Sequence, residues 1–157
     1  MRIIKLVFIS FIFLFGIITI ISLIIPSNIR LSKIIYIKSN NDSIFSLVKN
    51  KDQWHRWHPA FFHRGDNRVS LAKIDTRVIL QNDSILKMQW EQEGKKVINT
   101  AWQLHTEPGK EYGTLQWYID FHLSWYPWEK FGSLFYEGNY GRMMEQGLYN
   151  IKKEIEK

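Results

Sequence analysis

Cysteine is absent from all 157 residues. That excludes a disulfide framework, a thiolate nucleophile and a Cys-ligated metal site. It also excludes a lipoprotein anchor, which is built on a cysteine. Glycine is sparse, at nine residues, and no Gly-rich phosphate loop or nucleophile elbow occurs. The four prolines, Pro26, Pro59, Pro108 and Pro127, stand singly. There is no long run of one charge. Lys and Arg total 21 against 15 Asp and Glu, a net +6. The basic residues (Arg56, Arg64, Arg68, Lys73, Arg77, Lys95, Lys96) are scattered among acids. Nucleic-acid binding needs a clustered stripe or a motif, so no nucleic acid is expected. A solvated surface with a mild preference for anionic lipid fits better.

Aromatic residues are abundant, with 7 Trp, 7 Tyr and 10 Phe. A chain this rich in rings buries enough apolar area to pack a core, which excludes disorder. One run is conspicuous. Leu6 to Ile25 carries no charge, and its polar side chains are limited to Ser10, Thr19 and Ser22. Twenty residues at about 1.5 Å each span about 30 Å, a bilayer core. A cleaved signal peptide has an apolar region of about 7–15 residues and a small-residue cleavage site. Here Pro26-Ser27-Asn28 follows a longer run. The expectation is an uncleaved, single-pass anchor over residues 1–26, with the lipid bilayer as a partner. Arg2 and Lys5 on one side nearly balance Arg30, Lys33 and Lys38 on the other. The positive-inside rule then rests on the short basic tail before the run, which usually stays cytoplasmic. The remaining domain, 27–157, is expected on the extracytoplasmic side.

Ile29–Ile37 is rich in β-branched residues and reads as a strand. Asn40 to Ser43 supplies turn chemistry and a cap. Ile44, Phe45, Leu47 and Val48 make the stripe of a short helix. A second cap at Asn50 or Asp52 leads to Trp54 and Trp57 on one face, closed by Pro59. Residues 60–70 read as irregular. Strands are predicted over 73–80, 85–91 and 96–106, with turns at Asn82-Asp83, Gly94 and Pro108-Gly109. Leu86, Met88 and Trp90 share one side, as do Ile98, Thr100, Trp102 and Leu104. The strongest strand is Thr114–Leu123. It places Leu115, Trp117, Ile119, Phe121 and Leu123 on a core face, and Gln116, Tyr118, Asp120 and His122 opposite. Short turns between these runs predict an antiparallel meander. Asn139–Lys157 is an amphipathic helix, apolar at Tyr140, Met143, Met144, Gly147, Leu148, Ile151 and Ile155. Such a helix needs a sheet to cover. The periodicity establishes an α+β class.

Two segments carry a family resemblance. Pro26 to Pro59 holds an opening strand, an apolar-Phe-x-Leu helix (Ile44-Phe45-Ser46-Leu47) and a W-x-x-W-x-P element (Trp54, Trp57, Pro59). Pro127 to Glu156 holds a Pro-x-x-Lys-Phe stretch and a closing helix with Gly147-Leu148-x-Asn150-Ile151-Lys152. Together they resemble the SRPBCC superfamily (START-like, polyketide cyclase/dehydratase-like), in its membrane-anchored bacterial form. The resemblance implies a helix-grip fold, an antiparallel sheet wrapped around a long C-terminal helix. It also implies a cleft for a lipid or other apolar small molecule. Some members of the family catalyse cyclisation or hydrolysis.

The candidate cleft residues are Trp57, Met88, Trp90, Trp102, Leu104, Trp117, Ile119, Phe121, Met143, Met144 and Leu148, with Trp54 beside them. Rings and thioethers suit a wall of varied shape. A filled core accounts for the same residues. His55, His58 and His63 raise a zinc site, but His58 precedes Pro59 and His63 lies in a loop. All three are read as exposed polar residues, and no metal or cofactor is expected. Asp120 and His122 share a face, as general acid–base work requires. That face is opposite Trp117, so both point to solvent, as does His105. No catalytic residue is assigned. The leading reading is a membrane-tethered module for an apolar molecule. The alternatives are a cyclase- or hydrolase-like enzyme and a cavity-free protein-interaction domain.

Overall fold

The computed structural model describes residues 2–38, 41–61, 74–92, 96–107 and 112–157. Asn40, the segment around Gly65, Lys73, Gly94, Pro108-Gly109 and His63 lie outside them. The chain divides into two compact units, Met1–Ile29 with Phe121–Tyr136, and Arg30–Asp120 with Glu137–Lys157.

The elements follow in order: helix α1 (Arg2–Ile24), strand β1 (Asn28–Lys38), helix α2 (Asn41–Lys49), a tight turn Lys51–Gln53, and helix α3 (Trp54–Trp57). Strands β2 (Ile74–Gln81), β3 (Ile85–Gln92), β4 (Ile98–Thr106) and β5 (Tyr112–His122) come next. Helix α4 (Pro127–Gly132) and helix α5 (Arg142–Ile155) finish the chain. One five-stranded sheet has the order β1-β5-β4-β3-β2. The β2/β3, β3/β4 and β4/β5 pairs are antiparallel. With α5 as the long C-terminal helix, this is the expected α+β helix-grip arrangement.

The first unit contains α1. Residues Ile3–Ile24 are long and apolar enough to cross a membrane, and the helix is exposed along most of its length. Its hydroxyls turn back on the helix. Thr19 Oγ1 donates to the Phe15 carbonyl at 2.8 Å, and Ser22 Oγ donates to the Thr19 carbonyl at 2.7 Å. Internal satisfaction of this kind is what a lipid environment demands. Beyond Pro26 the Leu123 N–H donates to the Ser27 carbonyl, and His122 Nδ1 lies 2.7 Å from Asn28 Oδ1. Pro127 opens α4 at a position where its missing N–H costs nothing. The Glu129 carboxylate accepts from the Ser124 N–H. Lys130, the lysine of the Pro-x-x-Lys-Phe stretch, is buried. Its Nζ donates to the Ile25 carbonyl at 2.7 Å and to Ser27 Oγ at 2.8 Å.

In the second unit the alternation on β5 holds: Leu115, Trp117 and Ile119 are buried. Tyr118, on the other face, is buried as well, under the Arg30 guanidinium 4.5 Å from its ring. Helix α5 seats on the opposite face at Gly147. A Cβ there would stand 2.7 Å from Trp117 Cζ3 and 3.2 Å from Pro59 Cδ. Only a residue without a side chain lets the helix approach this closely. Polar ties flank the seat. Lys33 Nζ reaches Glu137 at 2.6 Å and Glu145 at 2.7 Å. Asn150 Nδ2 donates to the Trp57 carbonyl at 3.0 Å, and Arg56 pairs with Glu154.

Candidate functional site

Asn50 caps the turn after α2, its Oδ1 accepting from the Asp52 N–H. That turn aims Trp54 and Trp57 inward. Both are fully buried, and their Nε1 atoms donate to the Val48 carbonyl (2.8 Å) and the Leu47 carbonyl (3.3 Å). The sheet supplies Trp90 from β3, Trp102 from β4 and Trp117 from β5. Trp102 and Trp117 are register partners with centroids 5.2 Å apart. Trp54 lies 5.4 Å from Trp102, and Trp57 lies 6.0 Å from both Trp102 and Trp117. Each such ring buries about 150–250 Å². At about 25 cal/mol per Å² that is roughly 4–6 kcal/mol apiece before entropy. The cluster is therefore the main apolar core of this unit.

His58 sits inside it, which corrects the reading of an exposed histidine. Helix α3 stops at Trp57, and His58 takes an extended conformation (φ −84°, ψ 117°) that turns its ring from the solvent face. The ring lies 5.0 Å from Trp117, 5.3 Å from Trp90 and 4.8 Å from Phe61. Burial removes the solvation of a charged imidazole and lowers its pKa to about 3. His55, by contrast, is exposed.

Nδ1 of His58 accepts from the Ala60 N–H at 3.2 Å. In the neutral ring the proton is then on Nε2. Among the described residues that Nε2–H has no partner, nor do the Nε1–H groups of Trp90 and Trp102, although all three are buried. Trp117 Nε1, by contrast, donates to Thr100 Oγ1 at 2.8 Å. Phe61 and Trp90 are half-buried and bring the cluster to the surface.

The remaining expected cleft residues are placed as follows. Met88, Leu104, Ile119, Met144 and Leu148 are buried, and Met143 is half-buried. Phe121 belongs to the other unit, where its ring lies 4.5 Å from that of Tyr136. Among the described residues, a hollow of about 190 Å³ has Lys87, Met88, Thr100, Ala101, Tyr118 and Asp120 in its lining. A wider depression of about 510 Å³ lies between Tyr36–Lys38, Tyr112 and the Lys152 and Glu156 side chains. Asp120 accepts two bonds from Arg30, at 2.6 and 2.9 Å. His122 and His105 are exposed, as expected.

Solved structures share this architecture. A START superfamily protein from Mycobacterium smegmatis aligns with TM-score 0.54 at 14% identity, covering 81% of this chain and 97% of that one. The di-domain aromatase/cyclase StfQ of the steffimycin biosynthetic pathway aligns with TM-score 0.61 at 9% identity, covering 82% of this chain and 51% of that one. The chain shares the START-like fold of these structures. A Thermobifida fusca protein shares it too, with TM-score 0.58 at 15% identity over 80% of this chain and 92% of that one. No family model and no curated protein sequence matches the chain. Within the START-like layout, the aromatic cluster lies where α5 crosses the sheet at Gly147.

Proposed function

We propose that this chain is a membrane-tethered START-like module that binds an apolar small molecule or lipid in its aromatic cluster. The observation that carries the reading is that cluster. Rings from α3 and three strands meet under α5, with a half-buried edge at Phe61 and Trp90. Binding would be driven by desolvation of the ligand, at about 25 cal/mol per Å² of apolar area. The fold's use in an aromatase/cyclase is in keeping with small-molecule work.

The tether reading draws on the first unit. Exposed apolar side chains cover α1. At its C-terminal end, Trp125, Tyr126 and Trp128 form a stack with successive centroids 4.8 Å apart. Trp125 and Trp128 are 60% and 63% exposed. Rings of this kind favour the headgroup level of a bilayer, and Lys130 binds their helix to Ile25 and Ser27. Tethering raises the effective concentration of the module near lipid.

Native mass spectrometry of the full chain released from lipid nanodiscs tests the binding reading. A co-purifying apolar species of defined mass is expected. Repeated preparations from lipid-rich cells that carry nothing would leave the cluster as a filled core.

A further inference from the structure

We infer that the cluster selects an apolar ligand carrying a neutral hydrogen-bond acceptor oxygen, such as a carbonyl, ester or ether, which the N–H groups of His58, Trp90 and Trp102 receive. The inference rests on the binding reading above and adds the chemistry of the ligand's polar atom. Buried polar groups are nearly always paired, because an unpaired one loses its water without compensation. Three unpaired groups in one ring cluster therefore ask for a partner. All three are of one kind. Trp Nε1 only donates, and Ala60 fixes the His58 proton on Nε2. A ligand with only donors gains nothing here.

The same geometry argues for a neutral oxygen over a carboxylate or phosphate. The rings packed on His58 are Trp54, Trp57, Phe61, Trp90 and Trp117, none of them charged. An anion moved among them would lose its hydration, and none of these described rings carries a charge to meet it. Other N–H groups of the cluster already have acceptors: Trp54 on Val48, Trp57 on Leu47 and Trp117 on Thr100. The unpaired set is therefore specific to three positions. Trp90 lies at the half-buried edge of the cluster, although its Nε1 is itself buried.

The test uses the full chain, ¹⁵N-labelled, in phospholipid nanodiscs, with indane and 1-indanone as probes of nearly one shape that differ by a carbonyl. Indole N–H signals are assigned with Trp→Phe variants. The expected result is saturable binding of 1-indanone, about tenfold tighter than indane, as one or two gained hydrogen bonds predict. The indole protons of Trp90 and Trp102 move downfield with 1-indanone and stay in place with indane. Trp90→Phe keeps the ring, loses the donor, and narrows the preference several-fold. Trp102→Phe does the same; because Trp102 is fully buried, the edge position Trp90 serves as the variant least exposed to misfolding. Equal binding of both probes without indole shifts overturns the acceptor-oxygen inference and leaves apolar binding standing. Binding of neither probe overturns both.

Discussion

His58 shows how far one residue departs from its sequence context. Its i, i+3 relation to His55 places both on one helical face, and a histidine beside proline reads as surface. The helix ends one residue too early for that, so His58 swings inward. A pH dependence follows. The unfolded imidazole takes up a proton near pH 6.5, whereas the buried ring resists protonation until about pH 3. Its contribution to stability is complete above pH 6.5 and is lost as pH falls from there toward 3. The slope approaches 1.4 kcal/mol per pH unit. Thermal unfolding of the full chain between pH 7 and pH 5 should show this decline, and His58→Phe should flatten it. An equal decline in the variant assigns the effect to other groups. Lys130 is a second residue whose burial the sequence did not announce. A long flexible stem reaches a carbonyl and a hydroxyl more than 100 positions away, and no local pattern announces such a contact.

At the scale of elements, alternation on β3, β4 and β5 was legible because each strand turns its large apolar side chains to one face, even though Ala101 and Tyr118 on the other face are buried too. Their boundaries fall within a few residues of the expected ones. The C-terminal helix was expected from Asn139, whereas α5 begins at Arg142. Glu137–Gly141 forms a wide π-type turn, held where Glu137 reaches Lys33, and that pairing across the chain has no local signature. The seat of α5 gives a sharp prediction. Gly147→Ala drives a methyl into Trp117 and Pro59. Overpacking of this kind costs about 1–3 kcal/mol, although alanine is the better helix former by about 1 kcal/mol. Urea denaturation should report a net loss of stability. An unchanged or raised midpoint would mean that α5 does not press on the sheet at this point.

For the molecule as a whole, α+β content and the apolar helix could be read from periodicity, whereas the helix-grip layout needed the motifs at Trp54, Trp57, Pro59 and Gly147. The division into two units could not be read, because it joins residues 1–29 to 121–136 through contacts distant in sequence. The ring cluster was partly legible: its tryptophans lie on predicted inner faces, but the histidine among them and the unpaired donors depend on tertiary packing. The tether reading makes a prediction at this scale. The full chain should stay with membranes through alkaline carbonate washing. A C-terminal alkaline phosphatase fusion should be active, as an extracytoplasmic domain requires. A soluble chain after the wash removes the anchor; an inactive fusion reverses the orientation.

The bond from Lys130 to the end of α1 also has a mechanical side. A spanning helix tilts to match the thickness of its bilayer. On the tether reading, the bond from Lys130 Nζ to the Ile25 carbonyl would carry α4 along with that tilt. The Trp125–Tyr126–Trp128 stack would then change depth as the sheet of lipid thins or swells, a gauge of bilayer thickness made of three rings and one lysine.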